Sequence, residues 1–269
     1  MKFLPSLALA MLGAVSLHAG DDAWSIPSDK YNFHVFVLMG QSNMAGYGEI
    51  LPEDRKPVER IVNIPNVCPE FAWKPAAHPL HNRHSSDNFG LGLPFAIRYR
   101  DDHPGVTVGL ISCAVGGEPI DQLNKGSKVY ADAIKKIQWA SRQGVLKGVL
   151  WHQGESDTVD ATLAGAYEGK LHQLIRNLRQ DTGVAGLPFI AGDLAGFYGT
   201  GKDHNSPARV AQIQQVRAAL KALPAKVPDT AFAPSTGAKS PDANMVHMTR
   251  DSYIMLGTTY YDAWKRISK

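Results

Sequence analysis

The run Phe33-His34-Val35-Phe36-Val37-Leu38-Met39 is followed directly by Gly40-Gln41-Ser42-Asn43-Met44-Ala45-Gly46. The first part is short and almost continuously apolar, which is typical of a strand buried on both faces of a parallel sheet. Gly40 permits a tight turn out of that strand. These residues therefore predict a buried strand that ends in a turn carrying a serine, Ser42.

Further apolar runs follow this strand, and amphipathic stretches separate them. The predicted strands are Phe33–Met39, Thr107–Ser112, Gly148–Trp151, Leu187–Ala191 and Thr230–Ala233. The predicted helices are Leu91–Arg100, Val129–Gln143, Ala161–Arg179, Pro207–Leu223 and Arg250–Ile267. Strands that alternate with helices form right-handed βαβ units, so we expect a parallel sheet with helices on both faces. The segment Gly46–Asn88 breaks this alternation and is predicted to be a long irregular surface loop, a kind that is often functional.

The composition is that of one ordinary globular domain, with 269 residues of which 44% are hydrophobic and 20% charged. The chain holds 28 Lys and Arg against 25 Asp and Glu, a net charge of +3, and no segment carries a run of basic residues. A nucleic-acid partner therefore has little electrostatic support and is not expected. Nothing in the composition sets the oligomeric state.

The first residues have the pattern of a secretory signal peptide. Lys2 precedes an apolar run from Leu7 to Leu17, and Ala19 comes shortly before two aspartates. We predict a signal peptide at residues 1–19, a single domain at 20–269 and a secreted or periplasmic location. The apolar run is shorter than the 20 or so residues of a membrane span, so no membrane association is expected after cleavage. An N-terminal anchor or a buried helix remains the alternative.

Two cysteines and a series of three histidines raise the questions of a disulfide and of a metal site. Cys68 and Cys113 can form a disulfide in an oxidising compartment, or Cys113 can be a buried free thiol. His78, His81 and His84 recur every third residue, but no cysteine or His-Glu-x-x-His pattern accompanies them. We therefore predict no metal site and no cofactor.

Polar residues follow the predicted strands, where ligands bind in open α/β sheets. Ser42 follows the first strand and can be a nucleophile or a helix N-cap. Gly116 and Gly117 follow the second, where their N–H groups can meet an oxyanion or form an ordinary turn. The sequence is not Gly-x-Ser-x-Gly, because Met44 takes the last position, and this disfavours the α/β-hydrolase fold.

The third strand leads into His152-Gln153-Gly154-Glu155, an unusually polar cluster. The Gln153 amide can donate to an oxyanion, Glu155 can orient a neighbour or accept a proton, and His152 is either a base or a buried structural histidine. Near the C-terminus, His247 lies on a loop before the last predicted helix. It can be the base that meets Ser42, or a surface residue.

Together these blocks resemble those of SGNH-type carbohydrate acetylesterases. The matching residues, in order, are Gly40-Gln41-Ser42-Asn43, Ala114-x-Gly116-Gly117, His152-Gln153-Gly154-Glu155 and the late His247. They are most similar to carbohydrate esterase family 6 and its sialate O-acetylesterase relatives, and the resemblance runs from Val35 to the final helix. It implies a flavodoxin-like α/β/α sandwich with about five parallel strands.

The resemblance also implies roles for individual residues. Ser42 is the expected nucleophile and His247 the expected general base. The oxyanion hole is expected from the N–H groups of Ser42 and Gly116 with the Gln153 amide. Residues around them are expected to contact substrate, namely Gln41, Asn43, Gly117, Glu118 and His152.

One position departs from that pattern. The family usually has an aspartate three residues before the histidine, and here Asn244 stands there, with Asp242 five residues before His247. Asp242 is the acid that we favour, reaching the ring through a bulge in the loop. Otherwise Glu155 supplies the charge, or Asn244 or a backbone carbonyl orients a Ser–His pair.

The expected activity is removal of O-acetyl groups from a carbohydrate, with acetylated xylan as the substrate class. A sialate O-acetylesterase or another small-ester hydrolase is the first alternative. The second is a carbohydrate-binding protein on the same fold with weak turnover, which the presence of Asn244 motivates.

Overall fold

A computed structural model of the chain describes residues 24–86 and 88–268. The predicted signal peptide at residues 1–19 lies outside this range and stays a prediction. No helix in the described range is both long enough and apolar enough to cross a membrane.

A seven-stranded sheet forms the centre of the molecule. Its strands are β1 (Phe33–Gly40), β2 (Ile61–Ile64), β3 (Lys74–Pro75), β4 (Thr107–Ser112), β5 (Val145–His152), β6 (Phe189–Gly192) and β7 (Thr230–Ala233). The spatial order is β3-β2-β4-β1-β5-β6-β7, and all neighbouring pairs are parallel except the short antiparallel β2–β3 pair. The five predicted strands are all present, in a sheet that also contains β2 and β3.

Within the described residues six α-helices accompany the sheet: α1 (Ser42–Ala45), α2 (Gly92–Asp102), α3 (Lys128–Ala140), α4 (Ala161–Thr182), α5 (Pro207–Lys226) and α6 (Arg250–Ile267). Helix α2 packs on α6, whereas α3, α4 and α5 pack side by side. Two separate helical groups around one sheet confirm the three-layer α/β/α prediction. The strand order β4-β1-β5-β6-β7 is the flavodoxin-like order 2-1-3-4-5.

The four long helices α3 to α6 begin where the local sequence supplies a cap. The side chains of Ser127, Asp160, Ser206 and Thr249 each accept a hydrogen bond from a backbone N–H in the first turn of the helix that follows. Such caps satisfy donors that have no partner within the helix. These local signals explain why the predicted starts of these helices agree closely with the structure.

The segment Gly46–Asn88 is less irregular than the sequence predicts, because it contributes β2 and β3 to the sheet. Strand β2 has only four residues, and its apolar run is interrupted by the buried Asn63. The Asn63 amide donates to the Leu80 carbonyl and its oxygen accepts from Ser112, which offsets the cost of burying it. A short run with a polar centre carries no clear strand signal, and the expectation of a loop here is wrong.

The topological switch point of the sheet lies between β1 and β5. The chain leaves β1 toward β2 on one side and leaves β5 toward β6 on the other. Gly40 is paired with His152 at the carboxyl ends of these two strands. A crevice forms where connections diverge in this way, so the fold places the blocks after β1 and β5 side by side.

Both cysteines are free thiols in the structure, so the disulfide alternative is not realised. Cys113 is buried and Cys68 is half-buried. Burial raises the pKa of the Cys113 thiol to about 11. Cys113 is therefore protonated at neutral pH and packs as a small apolar side chain.

Candidate active site

The turn after β1 requires a glycine because it passes very close to β5. Gly40 has φ of 143°, and a side chain there would collide with the His152 carbonyl. The next residue, Gln41, donates its backbone N–H to that same carbonyl at 2.9 Å. Its side-chain oxygen accepts from the N–H groups of Gly154 and Ser156 at 3.4 and 3.3 Å. Gln41 thus ties the turn after β1 to the turn after β5.

Ser42 is the first residue of α1, and only 5% of its surface is exposed. The first N–H groups of a helix have no partner within that helix, so they are available to an anion. Gly116 lies against Ser42, because a methyl group placed on Gly116 would be 3.9 Å from the Ser42 Cβ. The structure therefore brings together the predicted nucleophile and the predicted oxyanion glycine.

The side chain of Asn43 joins three parts of the site. Its Nδ2 donates to Oε1 of Glu155 at 2.6 Å and to the carbonyl of Val246 at 3.1 Å. Its Oδ1 accepts from the hydroxyl of Tyr253 at 2.8 Å. Asn43 directly follows Ser42, and Val246 directly precedes His247. The hydrogen bond between them therefore holds the histidine loop beside the turn that carries Ser42.

His247 is half-buried, and its ring stacks on Tyr47. The ring centroids are 3.8 Å apart and the planes differ by 14°. Burial lowers the pKa of His247 below its ordinary value, and the negative charge of Asp242 raises it in part. A neutral imidazole is the form that accepts a proton, so this environment suits a general base.

Within the described residues, no carboxylate is hydrogen-bonded to the His247 ring. Asp242 is exposed, and its Oδ1 accepts the backbone N–H of Asn244 at 2.8 Å. Asp242 therefore acts on His247 through its charge. Asn244 is exposed as well. Glu155 is hydrogen-bonded to Asn43 and not to His247, so no direct contact supports its predicted role as the acid.

Glu155 and His152 form a buried pair that does not carry two charges. His152 Nε2 lies 4.0 Å from Oε1 of Glu155, while His152 Nδ1 is 2.9 Å from the hydroxyl of Tyr260. Burial lowers the pKa of His152 to about 4, so its ring is neutral at ordinary pH. Burial also raises the pKa of Glu155, although the hydrogen bond from Asn43 opposes this. The 4.0 Å approach is a polar contact with no ion pair.

The side-chain amide of Gln153 is committed to groups within the protein. Gln153 is fully buried, and its Nε2 donates to Oδ2 of Asp157 at 2.6 Å and to the Glu118 carbonyl at 3.2 Å. Asp157 Oδ2 also accepts the N–H of Ile120 at 2.9 Å. As described, Gln153 presents no free donor to the crevice. Its role in the oxyanion hole stays a prediction that requires the amide to leave Asp157.

The residues predicted to contact substrate divide into two groups. His152 and Asn43 are fully buried and hydrogen-bonded to protein groups, which gives them a role in holding the site together, and their contact with substrate stays a prediction. Gln41 is 3% exposed and likewise bonds to backbone N–H groups. Gly117 is exposed and Glu118 is half-buried, so both remain candidates for substrate contact.

Three residues at the site were not singled out from the sequence, namely Tyr47, Asp157 and Tyr253. The sequence predicts a loop for Tyr47, with nothing to indicate its stacking partner. Asp157 stands inside the polar cluster after β5, and its spacing of four residues from Gln153 is the signal that could have identified it. Tyr253 lies in α6, where a buried tyrosine looks like an ordinary core residue.

The three spaced histidines do not converge on one site. His78 and His81 are buried, and burial lowers their pKa values to about 4 and about 3, whereas His84 is exposed near Gly116. Across residues 24–86 and 88–268, no group of three or more His, Cys, Asp or Glu side chains could hold a metal ion. The chemistry that the site offers is that of a serine, a neutral histidine and backbone donors.

Comparisons with known proteins show the family of the chain. The family model described as "Carbohydrate esterase, sialic acid-specific acetylesterase" matches residues 32–266. A probable carbohydrate esterase of Arabidopsis thaliana is 29% identical over 269 residues, which cover 93% of this chain and 96% of that protein. The X-ray structure of the Arabidopsis protein has a TM-score of 0.76 and is covered to 99%, with 88% of this chain matched.

Two further solved structures share the fold at lower identity. The crystal structure of NanS is 16% identical with a TM-score of 0.69, covering 88% of this chain and 97% of that one. A carbohydrate acetylesterase from Xanthomonas citri is 20% identical with a TM-score of 0.65, covering 87% of this chain and 56% of that one. At these identities the likeness establishes the architecture alone.

Proposed function

The chain belongs to the carbohydrate esterase family of sialic acid-specific acetylesterases and is a carboxylic ester hydrolase, and we propose that it removes O-acetyl groups from a carbohydrate with Ser42 as nucleophile and His247 as general base. The observation that supports these roles most directly is the hydrogen bond from Asn43 to Val246. It brings the neighbours of Ser42 and His247 into contact, although they are 203 residues apart in the chain.

The proposed reaction is a two-step acyl transfer. His247 takes the proton of the Ser42 hydroxyl as the oxygen bonds to the acetyl carbonyl carbon. The N–H groups of Ser42 and Gly116 stabilise the oxyanion, and each such donor contributes on the order of 3 kcal/mol in comparable sites. The sugar oxygen then leaves with the proton from His247. Water attacks the acetyl-serine with His247 again as base, and acetate is released.

Ser42 and His247 are not hydrogen-bonded to each other in the described structure. Catalytic hydrogen bonds are often long in the absence of substrate and shorten when it binds. The contacts of Asn43 with the Val246 carbonyl and of Tyr47 with the His247 ring support a common crevice for the two residues. The proposed first step requires the His247 ring to come within hydrogen-bonding distance of the Ser42 hydroxyl.

We propose a neutral acetylated polysaccharide, of the acetylated xylan type, as the substrate. The charged groups of this edge that face solvent include the acidic Glu118, next to Gly117, and Asp242, whose charge reaches His247. Both disfavour the carboxylate of an acetylated sialic acid, while a neutral xylose unit meets no such repulsion. A sialate O-acetyl ester is the alternative that the family description suggests.

Export is part of the same proposal. The sequence pattern of residues 1–19 is that of a signal peptide. A polysaccharide is too large to enter a cell intact, so an exported enzyme fits this substrate. The N-terminus of the mature protein recovered outside the cytoplasm tests this point.

The first experiment compares the mature wild type with Ser42→Ala and with Ser156→Ala as a matched control. Ser156 lies at the same edge of the sheet and donates its hydroxyl to the Gly117 carbonyl. We expect wild type and Ser156→Ala to release acetate from a chromogenic acetate ester and from acetylated xylan. Ser42→Ala is expected to release none, because no group replaces the attacking oxygen.

The alternatives give different results in the same assay. Turnover that survives in Ser42→Ala contradicts the mechanism. A higher kcat/KM on O-acetyl sialic acid than on acetylated xylan selects the sialate alternative. If the wild type binds xylan and releases no acetate from any ester, the chain is a carbohydrate-binding protein on an esterase fold.

A further inference from the structure

The base of this site has no orienting acid within hydrogen-bonding distance. Neither Asp242 nor Asn244 nor Glu155 is hydrogen-bonded to the His247 ring among the residues that the structure describes. A histidine side chain rotates about two bonds, and a general base must keep a defined position relative to its nucleophile. Some other group must therefore fix the plane of this ring.

Tyr47 is the side chain that contacts His247 face to face. Its ring lies 3.8 Å from the imidazole between centroids, with 14° between the planes. Its hydroxyl is 2.8 Å from Oγ of Ser86. The same hydroxyl oxygen would be 3.7 Å from a methyl group placed on Gly116. Tyr47 therefore reaches from the base to the wall of the oxyanion site.

The backbone around Tyr47 is fixed on both sides. Gly46 has φ of 97°, and a side chain on it would run into the backbone of Phe89 and Gly90. Gly48 is joined to Phe89 by two backbone hydrogen bonds of 3.0 and 3.1 Å. With the backbone held here and the hydroxyl held by Ser86, the Tyr47 ring has little freedom to turn.

We propose that Tyr47 is a positioning residue for the general base, whose ring fixes the plane of the His247 imidazole and takes over the orienting role of the missing carboxylate. This inference rests on the proposed mechanism, since it assigns a task relative to Ser42 and His247. Stacked aromatic rings attract each other and have a preferred geometry.

The charged and titratable groups around His247 come from four segments. Asp242 lies on the same loop, and its charge raises the pKa of His247. Glu155 is joined to the loop through Asn43, and burial raises its pKa. Arg250, at the start of α6, is paired with Asp54. His84 approaches Gly116 from the loop between β3 and α2. None of these groups covers the face of the ring that Tyr47 covers.

The test compares Tyr47→Leu, which removes the ring, with Tyr47→Phe, which restores the ring without the hydroxyl. Tyr31→Leu, at a tyrosine that is 68% exposed, is the remote control. The values of kcat and KM for a chromogenic acetate are measured from pH 4.5 to 8.5. The pKa of His247 is measured by NMR titration, with its signal assigned by comparison with His247→Gln. Circular dichroism verifies that each variant is folded.

We expect Tyr47→Leu to lose about 10- to 100-fold in kcat with little change in KM, the size of effect that misplacement of a catalytic group produces. Its His247 pKa should rise, because one face of the ring becomes exposed to water, and the acid limb of the rate profile should move to higher pH. In Tyr47→Phe the stack is restored, so kcat should return to within about 3-fold of wild type and the His247 pKa should return to its wild-type value.

Two results would overturn the inference. One is a Tyr47→Leu variant that keeps both the kcat and the His247 pKa of wild type. The other is a Tyr47→Phe variant as impaired as Tyr47→Leu, which would assign the effect to the hydroxyl. If the wild type itself has no esterase activity, the proposed function fails. The NMR titration still decides whether Tyr47 covers the His247 ring.

Discussion

The side-chain amide of Asn43 donates to the backbone carbonyl of Val246 across 3.1 Å. Asn43 follows the proposed nucleophile and Val246 precedes the proposed base, so this one hydrogen bond sets the spacing between the two halves of the site. The same amide nitrogen also donates to Glu155, so Asn43 holds the turn after β5 as well. The geometry of the crevice thus depends on a buried side chain that joins three segments of the site.

Truncating this residue should damage both stability and activity. Asn43→Ala leaves the Glu155 carboxyl, the Val246 carbonyl and the Tyr253 hydroxyl without their partner in a buried place. We expect a loss of about 3 kcal/mol in the free energy of unfolding, since one unsatisfied buried group costs roughly 1–3 kcal/mol. Urea denaturation measures this loss. Asn82→Ala, at an exposed amide, is the control and should lose far less.

Gly116→Ala should separate activity from stability. The added methyl meets only ordinary contacts of 3.7 to 3.9 Å, so the midpoint of thermal unfolding should stay within about 2 °C of wild type. The methyl would lie beside Ser42, where the acetyl group must approach, and kcat/KM should fall by about 10-fold or more. Gly196→Ala, where an added methyl meets nothing within 4 Å, is the control. A fully active Gly116→Ala variant would show that the acetyl group does not pass through the space that the added methyl fills, while the Gly116 N–H is still present in that variant.

Asp242→Asn should distinguish an acid that acts through charge from one that holds the ring. Asparagine can still accept the Asn244 N–H, so the loop turn is preserved. The Asp242 charge raises the pKa of His247, so its removal should lower that pKa and move the acid limb of the kcat/KM profile to lower pH. At pH 7.5 the loss should stay below about 10-fold. A loss near the 10⁴-fold that triad acids have shown would instead make Asp242 the orienting acid.

Glu155→Gln should change how stability depends on pH. Burial raises the pKa of Glu155, so the folded state holds the Glu155 proton more tightly than the unfolded chain does. Glutamates in the unfolded chain titrate at about 4.3. Wild type should therefore lose stability as pH rises from about 4.3 through the raised pKa, whereas glutamine has no proton to lose.

As pH rises through that range, the stability of Glu155→Gln should therefore increase relative to that of wild type. Urea unfolding from pH 3.5 to 8 measures it. Glu59→Gln, at an exposed glutamate, is the control and should show a nearly constant difference. A constant difference for Glu155→Gln as well would mean that the carboxyl is ionised throughout.

The fold could be predicted from the sequence to the extent that its signals are local. The runs at Thr107–Ser112 and Thr230–Ala233 and the helix Arg250–Ile267 have the predicted bounds, because buried strands are apolar and helices start at capping residues. Strand β2 was missed because four residues with a buried asparagine at their centre have no clear period. Its strand conformation is stabilised by pairing with β4 and by hydrogen bonds from distant residues.

The sequence by itself determined that this chain builds a doubly covered parallel sheet and that Ser42, Gly116, Gln153 and His247 come at its strand ends. The physical reason is that burial periodicity and turn chemistry are properties of neighbouring residues, and carboxyl ends of parallel strands meet at one edge. Only the tertiary structure decided that Tyr47 stacks on His247, that Gln153 is held by Asp157 and that Asn43 is buried. These contacts depend on packing between distant segments, which no local pattern in the sequence records.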